Sequence, residues 1–192
     1  IDEEGFIRFL PLGGFDPKTL TAQRVIIHGR QDVVGVMGSK PIHLMTPDER
    51  SKAPLLKDYF IDTGLEKSEL QKLVSVGDPI TRERELIQMG KCINSKSLHN
   101  RISVYTLVSC LRSQEKIKPE TDLYFVFTVQ EELGLRGAKS AAHKIAPDYA
   151  INVDTTIAFD VTGAQPHEMV TKLSHGVAIK LFDSSVIPDI RM

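Results

Sequence analysis

The run "DLYFVFTV" (Asp122–Val129) is apolar at nearly every position, with no polar alternation, and it ends abruptly in "QEELGLRG". A strand whose successive side chains point to opposite faces can carry such a run only if both faces are covered. The segment therefore calls for a sheet held between layers of helices. The downstream segments agree: "GAKSAAHKIA" (Gly137–Ala146) reads as a helix whose small residues allow close packing on a sheet. "DYAINVDTT" (Asp148–Thr156) and "GVAIKLFD" (Gly176–Asp183) read as further strands. "NRISVYTLVSCLRSQ" (Asn100–Gln114) places Ile102, Tyr105, Val108 and Leu111 at the spacing of a well-buried helix. Helices alternating with apolar strands give an α/β layer whose sheet is covered on both faces.

Before about Ser97 the pattern is different. Short apolar runs, "FIRFL" (Phe6–Leu10), "RVIIH" (Arg24–His28) and "VVGVMG" (Val33–Gly38), are split by turn signals such as "LGGFDP", "HGRQD" and "VGDP". That spacing predicts a small β-barrel or sandwich. In "TPDERSKA", Thr46 stands at an N-cap, Pro47 at the first helical position and Glu49 at the capping-box position. "LEKSELQKLV" (Leu65–Val74) predicts a second short helix. The change in pattern implies two domains: a β module over residues 1–93 and an α/β module over 94–192. No internal repeat or low-complexity segment is present.

Bulk properties narrow the function classes. Among 192 residues, 41% are hydrophobic and 26% charged, with net charge −1, as in ordinary globular domains. The scattered Lys and Arg argue against nucleic acid as a partner. No apolar run reaches the roughly 18–20 residues of a membrane span. The two cysteines, Cys92 and Cys110, form no CxxC pair and suggest a reducing, cytoplasmic setting. The opening without Met, and the stop just after a strand-like segment, read as a fragment of a longer chain.

In open α/β sheets, ligands bind outside the carboxyl ends of the strands. Glu131, Glu132 and Asp154 all fall at such ends, after "LYFVFTV" and "YAINV". Adjacent extended residues point to opposite sides, so the two glutamates cannot share one task. Clustered carboxylates repel and are costly to desolvate. A divalent cation removes that penalty and acidifies water, and a neighbouring free carboxylate can accept the water's proton. A Glu-Glu pair at a strand end is as readily a solvated turn, and spacing alone does not decide between the two.

The segments "TVQEELGLRGAKSAA" and "INVDTT" resemble the M42 metallo-aminopeptidases. These are the glutamyl and leucyl aminopeptidases and TET peptidases, some of which are called endoglucanases. In the first half, "GFIRFLPLGGFDPKTLTAQRVIIHG", "GVMGSKPIHLMTPDERSKAP" and "YFIDTG" resemble that family's inserted β-barrel dimerisation domain. The resemblance covers nearly the whole chain. It implies an α/β catalytic domain with a mixed sheet between helices (αβα), peptide substrates cleaved at a free N-terminus, two zinc or cobalt ions per subunit, and dimers that build a tetrahedral dodecamer. It also implies Glu131 as general base, Glu132 as ligand of one metal and Asp154 as ligand of the other.

One position departs from the pattern. Where the family reads close to "KALDNR", with an aspartate bridging both metals, this chain reads "KSLHNR" and places His99. Imidazole binds metal through one nitrogen but brings no negative charge and cannot bridge as a carboxylate does. The resemblance implies two further histidine ligands that lie outside these residues. His28, His43, His143, His167 and His175 read as structural or surface residues. Asp160 fits an acidic position of the pattern in a supporting role, and Arg136 is a turn residue, an interface contact or a substrate contact. The expectation is an aminopeptidase whose activity is weak in this chain alone. A non-catalytic assembly subunit and a related metal-dependent deacetylase or carboxypeptidase stand as the other readings.

Overall fold

The computed structural model describes residues 1–114, 119–183, 186–189 and 191. The backbone divides into two compact units, residues 1–96 with 126–146, and 97–125 with 147–192.

In the first unit, β1 (Arg24–His28) and β2 (Asp32–Ser39) form an antiparallel hairpin with Ile26 opposite Val34. β3 (Tyr59–Asp62) pairs with β2, and β4 (Ile80–Arg82) pairs with β1, giving the order β3-β2-β1-β4. The period-2 pattern selects the core face. Val25 and Ile27 of β1, Val33 and Met37 of β2, and Tyr59 and Ile61 of β3 are buried together with Ile7, Leu20, Leu70 and Val74. The Tyr59 hydroxyl shares a hydrogen bond with Thr21 Oγ1 at 3.1 Å, so its polar end is satisfied. The helix α2 (Lys67–Leu73) sets Leu70, 0% exposed, onto this face. At the β3 edge, Ile7 bridges Ile61 through paired backbone bonds of 2.9 and 3.0 Å. A separate hairpin joins β5 (Ile87–Met89) to β6 (Cys92–Asn94). The expected barrel is thus corrected to an open four-stranded sheet, because β3 and β4 lie at opposite edges and do not pair among the described residues.

The helix α1 (Pro47–Ser51) forms where its capping signals place it. Thr46 Oγ1 accepts from Glu49 N at 3.3 Å, and Glu49 Oε2 accepts from Thr46 N at 2.7 Å. Lys40 Nζ donates to both Glu49 carboxylate oxygens, at 2.8 and 3.0 Å. The Lys40 bond first, then those from Thr46, hold the Glu49 carboxyl well below its ordinary 4.5, at about 2. A depressed folded-state value stabilises the fold above the unfolded value and is lost as pH falls through the folded one. We therefore expect Glu49→Gln to be less stable than wild type near neutral pH. The gap should close between about 4.5 and about 2, as read from chemical-denaturation midpoints along an acid series.

The second unit holds α3 (Leu98–Ser113). It is a helix, as its periodicity requires, but not the well-buried one expected: Tyr105 is 68% exposed and Ser103 is its buried residue. The helix α4 (Arg136–Ile145) belongs to the first unit. The segments 123–129, 148–156 and 176–183 run without strand ladders among the described residues. Val129 is 68% and Val177 93% exposed there. A strand exists only where a neighbour accepts and donates its backbone bonds in a continuing ladder, and among the described residues no such ladder forms along these runs. The chain is mixed α and β, and the expected αβα sheet is not formed by these residues.

Candidate functional site

The glutamate pair sits at the tip of a compact reversal between 126–129 and α4. Gln130 enters the left-handed region at φ 58°, as does Leu135 at φ 58°. Such a conformation costs a non-glycine residue about 1–3 kcal/mol and persists only where the surroundings fix it. Here the fixing bonds are explicit. Glu131 O accepts from Gly134 N at 3.0 Å and Leu135 N at 2.9 Å, and Val129 O accepts from Gly137 N at 3.0 Å. The backbone of Glu131 is thereby tied down while the side chains of Glu131 and Glu132 stay exposed.

Gly137 makes the reversal possible by letting α4 start against the chain below it. A Cβ at this position would lie 2.5 Å from Val129 O and 2.6 Å from Val129 N. Both are backbone atoms that cannot swing away. Gly137→Ala is expected to destabilise the unit by about 1–3 kcal/mol, as overpacking does, and to move the Glu131 tip. A lowered thermal midpoint would register the first effect, and shifted backbone amide resonances of Glu131 and Glu132 the second. On the other side, Gly13, at φ 80°, faces Glu132, and a Cβ there would lie 3.3 Å from Glu132 Cβ. The "LGG" loop, which reads in the sequence only as a turn signal, is thus a neighbour of Glu132.

In the other unit, the entry to α3 is irregular. Ser97 is left-handed at φ 64°, and His99 and Asn100 depart from helical angles. The two side chains meet Asp154. Asn100 Nδ2 donates to Asp154 Oδ1 at 2.7 Å, and Thr155 N donates to the same oxygen at 2.7 Å. His99 Nε2 lies 3.9 Å from that oxygen, with the His99 and Asp154 side chains 56% and 37% exposed. Lys180 is held above the ordinary lysine range, first by its hydrogen bond to Asp183, with the charges of Asp183 and Asp154 contributing.

Two of the remaining candidates, His28 and Asp160, take structural places. His28 links Asp32 Oδ1 through Nδ1 and Thr81 Oγ1 through Nε2, each at 2.9 Å, tying β1, β2 and β4 together. Asp160 Oδ2 accepts from Leu173 N at 2.9 Å, a loop-bracing role. Arg136 is exposed at the start of α4 beside an open groove of about 340 Å³ lined by Phe127, Val129 and Ala141. Among the described residues no three His, Cys, Asp or Glu side chains gather as a metal centre would require. Within the second unit an imidazole stands beside the Asp154 carboxylate, donor types that zinc and cobalt accept; Glu131 and Glu132 belong to the first unit.

The M42 glutamyl aminopeptidase family profile matches residues 1–192. The chain belongs to the M42 peptidase family. A TET aminopeptidase from the marine sediment archaeon Thaumarchaeota archaeon SCGC AB-539-E09 is 38% identical, with a TM-score of 0.91 over 98% of this chain and 54% of its own. The TET1 peptidase of Pyrococcus horikoshii, which can assemble into a tetrahedron or a large octahedral shell, is 30% identical at TM-score 0.70, covering 80% of this chain and 47% of its own. The glutamyl aminopeptidase of Lactococcus lactis subsp. cremoris is 30% identical over 192 residues, 95% of this chain and 52% of its own length. The chain spans about half the length of the curated relatives it matches, 56% and 54% for two of them. No helix among its described residues is long and apolar enough to cross a membrane.

Proposed function

We propose that the full-length protein carrying these residues is a metal-dependent aminopeptidase that removes N-terminal residues from peptides. The observation that carries the proposal is the M42 chain's restrained carboxylate at Asp154. Two N–H donors hold its Oδ1, and His99 stands beside it. The residues proposed for the site are Glu131 as general base, Glu132 and Asp154 as metal ligands, and His99 as a nitrogen donor beside Asp154. A divalent ion, zinc or cobalt, would polarise the scissile carbonyl and acidify water when bound. Glu131, fixed through its backbone at an exposed tip, takes the proton from water as its oxygen joins the carbonyl carbon. The same carboxyl then returns the proton to the departing amine as the C–N bond breaks.

Residues 1–93 are assigned to dimerisation and 94–192 to part of the catalytic module, in a cytoplasmic homo-oligomer. The free Cys92 and Cys110 fit a reducing compartment, and the shells formed by the P. horikoshii relative fit the assembly. His99 supplies one nitrogen and no negative charge where a bridging carboxylate is expected, and the two histidine ligands that the family resemblance implies lie outside these residues, so the isolated 192-residue chain should show little activity. That same position favours a second reading, a non-catalytic assembly subunit.

Leucyl and glutamyl p-nitroanilides with added zinc or cobalt, together with metal analysis of the purified full-length protein, separate the readings. Turnover with about two ions per subunit, as in two-metal hydrolases, supports the enzyme. No turnover and no retained metal support the assembly subunit, and robust turnover by the isolated chain contradicts the reading that these residues alone are impaired.

A further inference from the structure

Asn100 uses its hydrogen-bonding groups unevenly. Its Nδ2 donates to Asp154 Oδ1 at 2.7 Å across 54 residues of sequence. Its own Oδ1 is buried and has no hydrogen-bond partner among the described residues. A buried acceptor left unmatched costs about 1–3 kcal/mol. A side chain kept only to cap α3 or fill space would not require an amide there. What the amide does make is one short bond to a carboxylate.

The carboxylate's own inventory makes that bond informative. Each carboxylate oxygen has about two lone-pair sites. Asp154 Oδ1 receives both Asn100 Nδ2 and Thr155 N, each at 2.7 Å. These two donors fill it and fix the plane of the group. Oδ2 is the oxygen left to meet a ligand.

The geometry points to Asn100 as the positioning residue of Asp154, the donor that locks one carboxylate oxygen so that the other alone is offered to a divalent cation. This rests on the proposed role of Asp154 as a metal ligand. An aspartate at position 100 would have nearly the same size but no N–H to donate, and it would set a like charge against Asp154. The nearby cation, Lys180, donates its hydrogen bond to Asp183 instead, and so does not replace the amide. His99, on the same irregular entry to α3, approaches the filled oxygen rather than Oδ2.

The test uses the full-length protein with cobalt(II) alone as probe, read by affinity and by the visible absorption of the bound ion. Asn100→Ala and Asn100→Asp should each weaken cobalt binding by about 10–100-fold, as loss of a ligand-orienting partner does, and alter the cobalt spectrum. With zinc, kcat should fall more than KM rises. In the metal-free protein, the Asn100 side-chain amide resonances should shift in Asp154→Ala, which reads the hydrogen bond without any metal. If Asp154→Ala weakens cobalt binding while both Asn100 variants bind as wild type with an unchanged spectrum, the positioning role is overturned and the ligand reading stands. If Asp154→Ala leaves cobalt binding unchanged, the ligand reading falls and takes the inference with it. Amide resonances indifferent to Asp154→Ala overturn the inference directly.

Discussion

Glu131→Gln in the full-length protein is expected to lower kcat for N-terminal hydrolysis by roughly 10²–10⁴-fold, the usual contribution of a general base, with KM little changed. The substitution keeps the size of the side chain and removes its capacity to take a proton. It leaves the reversal intact, because the bonds that form the tip come from the backbone carbonyl of Glu131 and not from its carboxylate. Folding should therefore be unaffected. Steady-state kinetics paired with a denaturation curve checks both halves. Unchanged kcat would remove Glu131 from the chemistry, and collapse of the fold would show a structural duty that its exposed position does not suggest.

Leu70→Ala is expected to cost about 2–5 kcal/mol, the range for deleting a fully buried leucine side chain. Leu70 is 0% exposed and belongs to the cluster formed by Ile7, Ile27, Tyr59 and Ile61. It is the buried residue of α2, so its loss removes the contact that seats this short helix on the sheet. The control lies on the opposite face of the same sheet. Val34 is 52% exposed in β2, and Val34→Ala should stay within about 0.5 kcal/mol, as exposed substitutions usually do. Urea midpoints of the two variants decide it: similar losses would mean that the buried and exposed faces are misassigned.

Local sequence grammar accounts for much of the first unit. "RVIIH" coincides with β1, and the Thr46–Glu49 capping box forms with both reciprocal bonds. These features depend on residues within a few positions of one another. The two helices expected around residues 100–114 and 137–146 also form, as α3 and α4. The features that do not form are those that depend on distant partners. An apolar run such as 123–129 states that both faces want covering, but not which strand supplies the ladder, and the described residues supply none. No barrel closes among the described residues for the same reason, since closure is a relation between edge strands and no single strand carries its signal.

The candidate site shows the same division. Glu131, Glu132 and Asp154 are visible in the sequence as acids at the ends of apolar runs. The left-handed turn at Gln130 is not visible there, because glutamine gives no hint of positive φ. The approach of Gly13 to Glu132 is also hidden, because the two are remote in sequence. Asn100 lies inside the motif that draws attention to His99, yet only the bond to Asp154 reveals what it does. The sequence does carry one signal for it: an amide residue directly at the irregular start of a helix, beside a residue that already looks like a ligand.

The most direct measurement is a mass-spectrometric time course on one peptide supplied with a free and with an acetylated N-terminus, using the zinc- or cobalt-loaded full-length protein. Stepwise shortening from the free N-terminus, with the acetylated peptide left whole, is the predicted result. Trimming from the carboxyl end, release of acetate, or both peptides surviving intact would contradict it.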